Sequence, residues 1–462
     1  MDVQKPLGLW EIVLYGTAMN LGIRWLATGA ATGPVALPIW IIAGIVFLGP
    51  LVFATLALSE RFPDEGAIYA WARQTQGPMA GFLCGWFYWA SFLPFFAGLL
   101  VFAVNLFGQT IGGEFGAWLL TPVGIILASS ALIIAIGALH AGGIGVGKLM
   151  PLVGASTTIV LFALIVIGGF YLNARDGSAT DFARAQYVPR LDANAAILWS
   201  TMIFAYGGAE GIALMRSQAR GGVRTITVAV IVIGIGLMLA YAIGTTAMLM
   251  VLPQDRISRL GGLPEVLEVL LQKLNVAVLL PVTLIGLSLA ILGGLSSWFG
   301  ATARLPFAAG LTHALPPAFA KLSPKTGAPV NAIWMQTLLV ILILISSQAG
   351  ASVAGAYDFM IAMATLSFAL PYLFMFFAWW KITDGSVAKV GAAVGFVIAL
   401  SAIVGSLVPS PDASDPVTSI LKTLFATAIM TVSGAGLYYT FVRRANAAAA
   451  EVKMGRNQSY DS

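Results

Sequence analysis

Apolar residues in this chain come in long runs separated by short polar segments. The runs cover residues 9–31, 37–59, 79–107, 117–139 and 149–172. After a polar segment at 173–194 they resume at 195–215, 225–252, 276–303, 330–347 and 357–380, with 390–408 and 417–442 last. Each is near the roughly 20 residues an α-helix needs to cross a bilayer. The pattern therefore predicts an all-α integral membrane protein with about twelve transmembrane helices. The organisation expected is a first group of five helices in residues 1–172, an external loop at 173–194 and a second group of five in 195–380. Two peripheral helices in 381–442 and a polar tail at 443–462 complete it. Within the loop before span eight, LPEVLEVLLQKL at 263–274 has apolar residues at helical spacing, which predicts a short amphipathic helix lying over the bundle or at the interface.

Two of the runs are interrupted. Span six reads AAILWSTMIFAYGGAEG, with Gly207 and Gly208 in mid-helix and Glu210 two residues on; span one reads GTAMNLGIRW, with Asn20, Gly22 and Arg24 in mid-span. A glycine break frees backbone groups that hydrocarbon cannot satisfy, so it is tolerated only where protein or a water-filled cavity surrounds it. Broken helices at matching positions in two halves of five spans point to an inverted-repeat transporter whose site lies between the breaks near the midplane. Glycines that merely allow close helix packing are the alternative. A membrane-embedded arginine and glutamate weigh against it, because such charges are costly and by default functional.

Composition narrows the picture. The chain is 59% hydrophobic and only 9% charged, with a mean hydropathy of +0.91, and no soluble domain is left over. Its net charge of +5 is spread over short loops rather than gathered in a nucleic-acid-binding patch. With the N-terminus inside, most Lys and Arg fall on the cytoplasmic side, which predicts a multi-pass protein of the cytoplasmic (inner) membrane with both termini cytoplasmic. The N-terminal segment shows no removable signal, so the first span is expected to be permanent. Cys84 is the single cysteine, and the two histidines, His140 and His313, are read as solvated loop residues. No metal cluster, phosphate loop or catalytic triad can be assembled, so an enzyme, a resident metal and a cofactor are not expected.

The stretches FAYGGAE, KPLGLWEIVLYGTAMNLG, FPDEGAIYAWARQTQGPMAGFLCGWFYW and SSWFGATARLPFAAGLTHALPPAFAKLSPKTGAPV resemble the amino acid–polyamine–organocation (APC) superfamily of permeases, over nearly the whole chain. Ser-Trp before the end of span eight, LPPAFAKL after it and GIR in span one look most like the glutamate/GABA antiporter branch. The resemblance implies a LeuT-type fold, a 5+5 inverted repeat plus two peripheral helices, working by alternating access.

The resemblance also implies a site. Gly22, Ile23 and Arg24 stand where most members bind a substrate carboxylate through Gly-Ser-Gly amides; Arg24 departs from that pattern and is either an anion ligand or a structural partner of Glu210 or of helix carbonyls. Phe204 takes the place of a gating aromatic, with Tyr206 beside it and the carbonyls near Ala205 and Gly207 suited to an ammonium. Trp298 aligns with an aromatic that closes over substrate. On span three, Phe92, Phe95 and Phe96 face either lipid or the pocket, and an all-apolar wall there would disfavour a long cationic substrate side chain. Glu210 matches the family's span-six carboxylate and is the first candidate for proton coupling, with a purely structural hydrogen bond to a neighbouring helix the alternative. Ser296, Ser297 and Thr157 are a candidate sodium site, with packing hydroxyls the plainer reading. The function expected is secondary transport of an amino acid or derived amine, glutamate-like, GABA-like or small and neutral, by exchange or proton coupling. The partners expected are that small molecule and the lipid bilayer, with no nucleic acid, in a monomer or homodimer. A cation permease or channel, a sodium-coupled symporter and a non-transporting sensor are the alternatives.

Overall fold

The structure, a computed structural model, describes residues 8–62, 67–143, 146–189, 192–213, 219–308, 321–348, 352–411 and 415–442. The tail at 443–462 and His313 lie outside them. Among the described residues every regular element is helical. α1 (Leu9–Asn20) and α2 (Trp25–Thr32) make the first span, and α3 (Ala36–Ala43) and α4 (Gly49–Arg61), joined by a π-helical turn, make the second. α5 (Ala67–Gln76) is a short connector, α6 (Pro78–Ile111) the third span, α7 (Gly113–Leu119) another connector, and α8 (Pro122–Ala141) and α9 (Val146–Asp176) the fourth and fifth. The sixth span is α10 (Ala193–Tyr206) and α11 (Ala209–Ala213), followed by α12 (Val223–Val251), the short α13 (Gly262–Lys273) and α14 (Leu280–Ala308). α15 (Val330–Gln348), α16 (Val353–Ile382), α17 (Ser386–Gly405) and α18 (Pro416–Leu437) finish the chain.

Among the described residues, ten helical stretches are long and apolar enough to span a bilayer unaided. The two broken pairs, α1/α2 and α10/α11, bring the spans to twelve, as expected. Span four differs at its start: residues 117–119 belong to α7, and the span begins at Pro122, where the Thr121 hydroxyl accepts the Gly124 N–H at 3.1 Å and proline occupies a position whose N–H no helix needs. Local capping starts other helices too. Asp192 accepts from Ala195 N at 2.8 Å before α10, and Ser352 accepts from Gly355 N at 3.1 Å before α16.

Burial sorts the helices into a centre and a rim. In α6, 89% of the most apolar stretch is inside the bundle and in α16 72%, against 17% for α18 and 22% for α17. The last two helices lie on the rim, as does α9 at 22%, with outward apolar side chains suited to lipid. α2 packs on α10 and α1 on α11, so the two broken helices run antiparallel with their breaks at one level. α13 turns Leu263, Val266, Leu267 and Leu270 completely inward onto α2 and α9, which places the amphipathic helix over the bundle.

Candidate functional site

The backbone at the two breaks is held by one side chain from α12. The Tyr241 hydroxyl accepts the Gly22 N–H at 3.2 Å and lies 3.1 Å from both the Asn20 and the Ala205 carbonyls, to one of which it donates. Tyr241 is fully buried, stacked on Trp40 with 4.8 Å between ring centroids. A single hydroxyl thus satisfies groups that both interruptions leave open, which meets the requirement hydrocarbon imposes. Sequence reading passed over it; a tyrosine in the middle of an otherwise apolar run was the available signal.

The glycine pair is a packing requirement as well. Gly208 has φ +102°, and a Cβ there would overlap Asn20 Oδ1; a Cβ on Gly207 would strike the Phe368 ring and lie 2.6 Å from the Tyr372 hydroxyl. Gly208→Ala is therefore expected to combine backbone strain of about 1–3 kcal/mol with a clash against the facing break. A melting temperature several degrees lower, together with transport reduced about tenfold or more, is the outcome to look for. Wild-type behaviour in both would show that the break tolerates a side chain.

A cavity of about 610 Å³ lies where the breaks meet, bounded by α1, α2, α6, α9, α10, α14 and Phe368 of α16. Of the residues singled out from sequence, Gly22, Ile23, Arg24, Phe204, Gly207, Trp298 and Ser297 line it, with Phe92 and Phe95. Its wall includes Leu14 (63% exposed) and Leu152 (64% exposed), so it reaches the surface of the bundle between α1 and α9, in the half where α1 begins, called the inner half.

Arg24 caps α2 at this cavity. Its guanidinium carbon sits 3.7 Å from the Trp25 ring centroid and 4.8 Å from that of Phe95, and Nη1 donates to the Tyr357 hydroxyl at 3.0 Å. Among the described residues, Nη2 is buried with no hydrogen-bond partner. A buried charged donor left unpaired is costly and rare. The aromatic wall around it is tight: Phe204 stacks on Phe368 at 4.2 Å and on Phe95 at 4.5 Å, and Phe92 on Trp298 at 5.0 Å.

Other expected site residues face elsewhere. Tyr206 donates its hydroxyl to the Trp40 carbonyl at 2.8 Å, and the Ala205 carbonyl is beside the Tyr241 hydroxyl, so neither lines the cavity. Both belong to the opposite face of α10. Phe96, one residue beyond Phe95 on α6, is fully buried against Phe299. Ser296 shares a 3.0 Å hydrogen bond with His140, which is thus half-buried rather than solvated, and Thr157 donates to the Val153 carbonyl of its own helix at 2.8 Å. Of the three hydroxyls considered for sodium, Ser297 alone lines the cavity.

Glu210 is not paired with Arg24. Its Oε1 accepts from the Tyr88 and Tyr372 hydroxyls, each at 3.0 Å, and its Oε2 from the Gly208 N–H at 3.1 Å. The carboxylate therefore ties the short inner half-helix α11 to α6 and α16, at 1% exposure and away from the cavity wall.

The outer half is closed by a cluster that sequence reading did not single out. Arg259 makes a two-pronged ion pair with Asp358, 3.1 Å through Nε and 2.8 Å through Nη2, and also donates to Asn194 Oδ1 at 2.9 Å and Ser410 Oγ at 2.5 Å. Ser410 donates in turn to Asp358. The pair is 8% and 12% exposed, and the space beneath it, lined by Thr28, Ser200 and Tyr357 among others, is only about 40 Å³. Among the described residues, the half where α1 begins holds the large cavity and the opposite half only this small space.

Two antiparallel broken helices around a midplane cavity that opens to one side define a multi-pass membrane transporter. Residues 7–435 match the family model described as amino acid permease, and the chain belongs to that family, within the APC superfamily. It is 21% identical to an uncharacterised transporter of Legionella pneumophila over 81% of this chain and 80% of that one. It is 26% identical to an uncharacterised transporter of Mycobacterium tuberculosis over 78% and 77%. A protein described as a probable agmatine/putrescine antiporter of Lactococcus lactis matches over half of each chain at 22% identity. Among solved structures, MhsT in complex with L-phenylalanine superposes with a TM-score of 0.56 and 17% identity, covering 86% of this chain and 97% of that one. That likeness establishes the LeuT-type fold.

Proposed function

We propose that this chain exchanges amino acids across the cytoplasmic membrane by alternating access, with the inner half of the bundle and both termini on the cytoplasmic side. The observation that carries the reading is the unpaired Nη2 of Arg24 at the N-terminus of α2, on the wall of the inward-opening cavity. A guanidinium at a helix N-terminus is a site for a carboxylate, and both contributions act in the same direction. The excess of basic residues on inner loops supports the orientation. The likeness to a protein described as an antiporter supports exchange.

Glu210 is the proton site in this reading. Its three donors suit an anion, and a proton arriving on it turns one acceptor oxygen into a donor, so a tyrosine hydroxyl must turn round to accept or give way, which changes how α11 is held to α6 and α16. Protonation thereby couples to movement of the inner half-helix. Counterflow of labelled amino acids into preloaded proteoliposomes is expected to be saturable and to vary with pH. In Glu210→Gln the pH dependence should flatten. A pH profile identical to wild type would remove Glu210 from coupling, and ion conductance without amino acid exchange would sink the transport reading itself.

A further inference from the structure

The cavity is more selective in its chemistry than a general amino acid site needs to be. Among the described residues, Arg24 is the one ionisable side chain on its wall. The two carboxylates that could otherwise serve an amine are committed elsewhere: Glu210 to Tyr88, Tyr372 and Gly208, and Asp358 to Arg259. On α10, the Ala205 carbonyl lies against Tyr241 and the Tyr206 hydroxyl against the Trp40 carbonyl, both off the cavity wall, so neither is placed to meet an amine there. What remains around the guanidinium is aromatic: Trp25, Phe92, Phe204, Trp298 and Phe368. One end of the site is a single positive charge with a spare donor, and the rest is mainly apolar, with Asn20, Ser156, Thr158 and Ser297 as its polar side chains, in a volume within the range of small-molecule pockets.

On the basis of the transport reading, we infer that this site selects monocarboxylates bearing a large apolar side group, that is, large neutral amino acids. It rejects both dicarboxylates and amines that lack a carboxylate, agmatine and putrescine included. A diamine would bring like charge into a cavity that is already positive and leave Nη2 unpaired. Glutamate would satisfy Nη2 with one carboxylate and bury the second against rings, with no second cation to meet it. Phenylalanine or leucine offers one carboxylate to the guanidinium and an apolar side chain to the stacked rings, while its ammonium meets the ring faces, which attract cations. The carboxylate is thus the group the site cannot do without.

The test uses the full chain in proteoliposomes loaded with L-leucine, with labelled L-leucine outside and competitors added. L-Phenylalanine is expected to compete, and 3-phenylpropanoate, which keeps the carboxylate alone, to compete better than phenethylamine, which keeps the amine alone. Putrescine and agmatine should be weaker than phenylalanine on the order of 100-fold, because a site built around a hydrogen-bonding group discriminates strongly against ligands that lack its partner. In Trp298→Ala the KM for phenylalanine should rise about tenfold and that for alanine much less. Phenethylamine competing better than phenylpropanoate, or glutamate, agmatine or putrescine exchanging better than phenylalanine, would overturn the selectivity while leaving a transporter in place. Absence of exchange for every compound, in liposomes loaded with each in turn, would overturn the transport reading instead.

Discussion

Arg24→Ala protein reconstituted in liposomes is expected to lose amino acid counterflow by about 100-fold or more. Removing one member of a desolvated charge pair costs about 2–5 kcal/mol of binding, and among the described residues no other cation lines this cavity to share the load. The substitution also deletes the bond to Tyr357 and the stacking on Trp25 and Phe95, so a loss of activity by itself would not separate binding from architecture. Two further measurements do. Arg24→Lys keeps the charge but not the planar fork, and should restore transport in part with a raised KM. Melting temperature should change little in Arg24→Ala, because the same truncation relieves a buried unpaired donor. Near-wild-type counterflow together with a melting temperature many degrees lower would assign Arg24 to structure.

Breaking the outer cluster should move the whole molecule rather than one ligand. In Asp358→Asn, Arg259 keeps an amide oxygen to donate to, together with Asn194 and Ser410, but loses its counter-charge inside the closed outer half. Leaving one charge of a buried pair uncompensated costs about 3–5 kcal/mol. Opening the outer side would hydrate Arg259 and recover much of that, so the population shifts toward an outward-open form. Cys84 is the sole cysteine and is buried, which makes the measurement direct. With Cys84→Ala as background, Thr28→Cys places a thiol beneath the cluster. Its labelling by a membrane-impermeant maleimide from the outer side should speed up about tenfold when Asp358→Asn is added. An unchanged rate would show that the Arg259–Asp358 pair does not hold the outer side shut. Because Tyr357, the partner of Arg24, is the neighbour of Asp358 on α16, occupancy of the cavity and the state of the outer cluster act on the same helix turn.

The particular misplacements share one pattern. Phe204 and Gly207 line the cavity, while Ala205 and Tyr206 between them turn toward α12 and α3. Phe92 and Phe95 line it, while Phe96 faces α14. Adjacent residues on a helix point about 100° apart, so knowing that a segment reaches the site does not say which of its neighbours face it. Motif likeness carried each segment to the right level along the bundle, and the rotation of the helix about its axis decided the rest. Tyr241, Tyr357 and the Arg259–Asp358 pair escaped notice for a related reason: their partners lie between 36 and 333 residues away in the chain.

The sequence by itself determined the twelve spans, the two interruptions and the presence of one arginine and one glutamate inside the membrane. Those features depend on run length and local chemistry, which a bilayer reads directly. Only the tertiary structure decided that Arg24 and Glu210 are separate, one unpaired beside the cavity and the other locked among hydroxyls. The same holds for the bridging of both breaks by Tyr241 and the closure of the outer half by a buried ion pair. Each is a meeting of side chains from different helices, and the faces that meet are chosen by how all the helices pack at once.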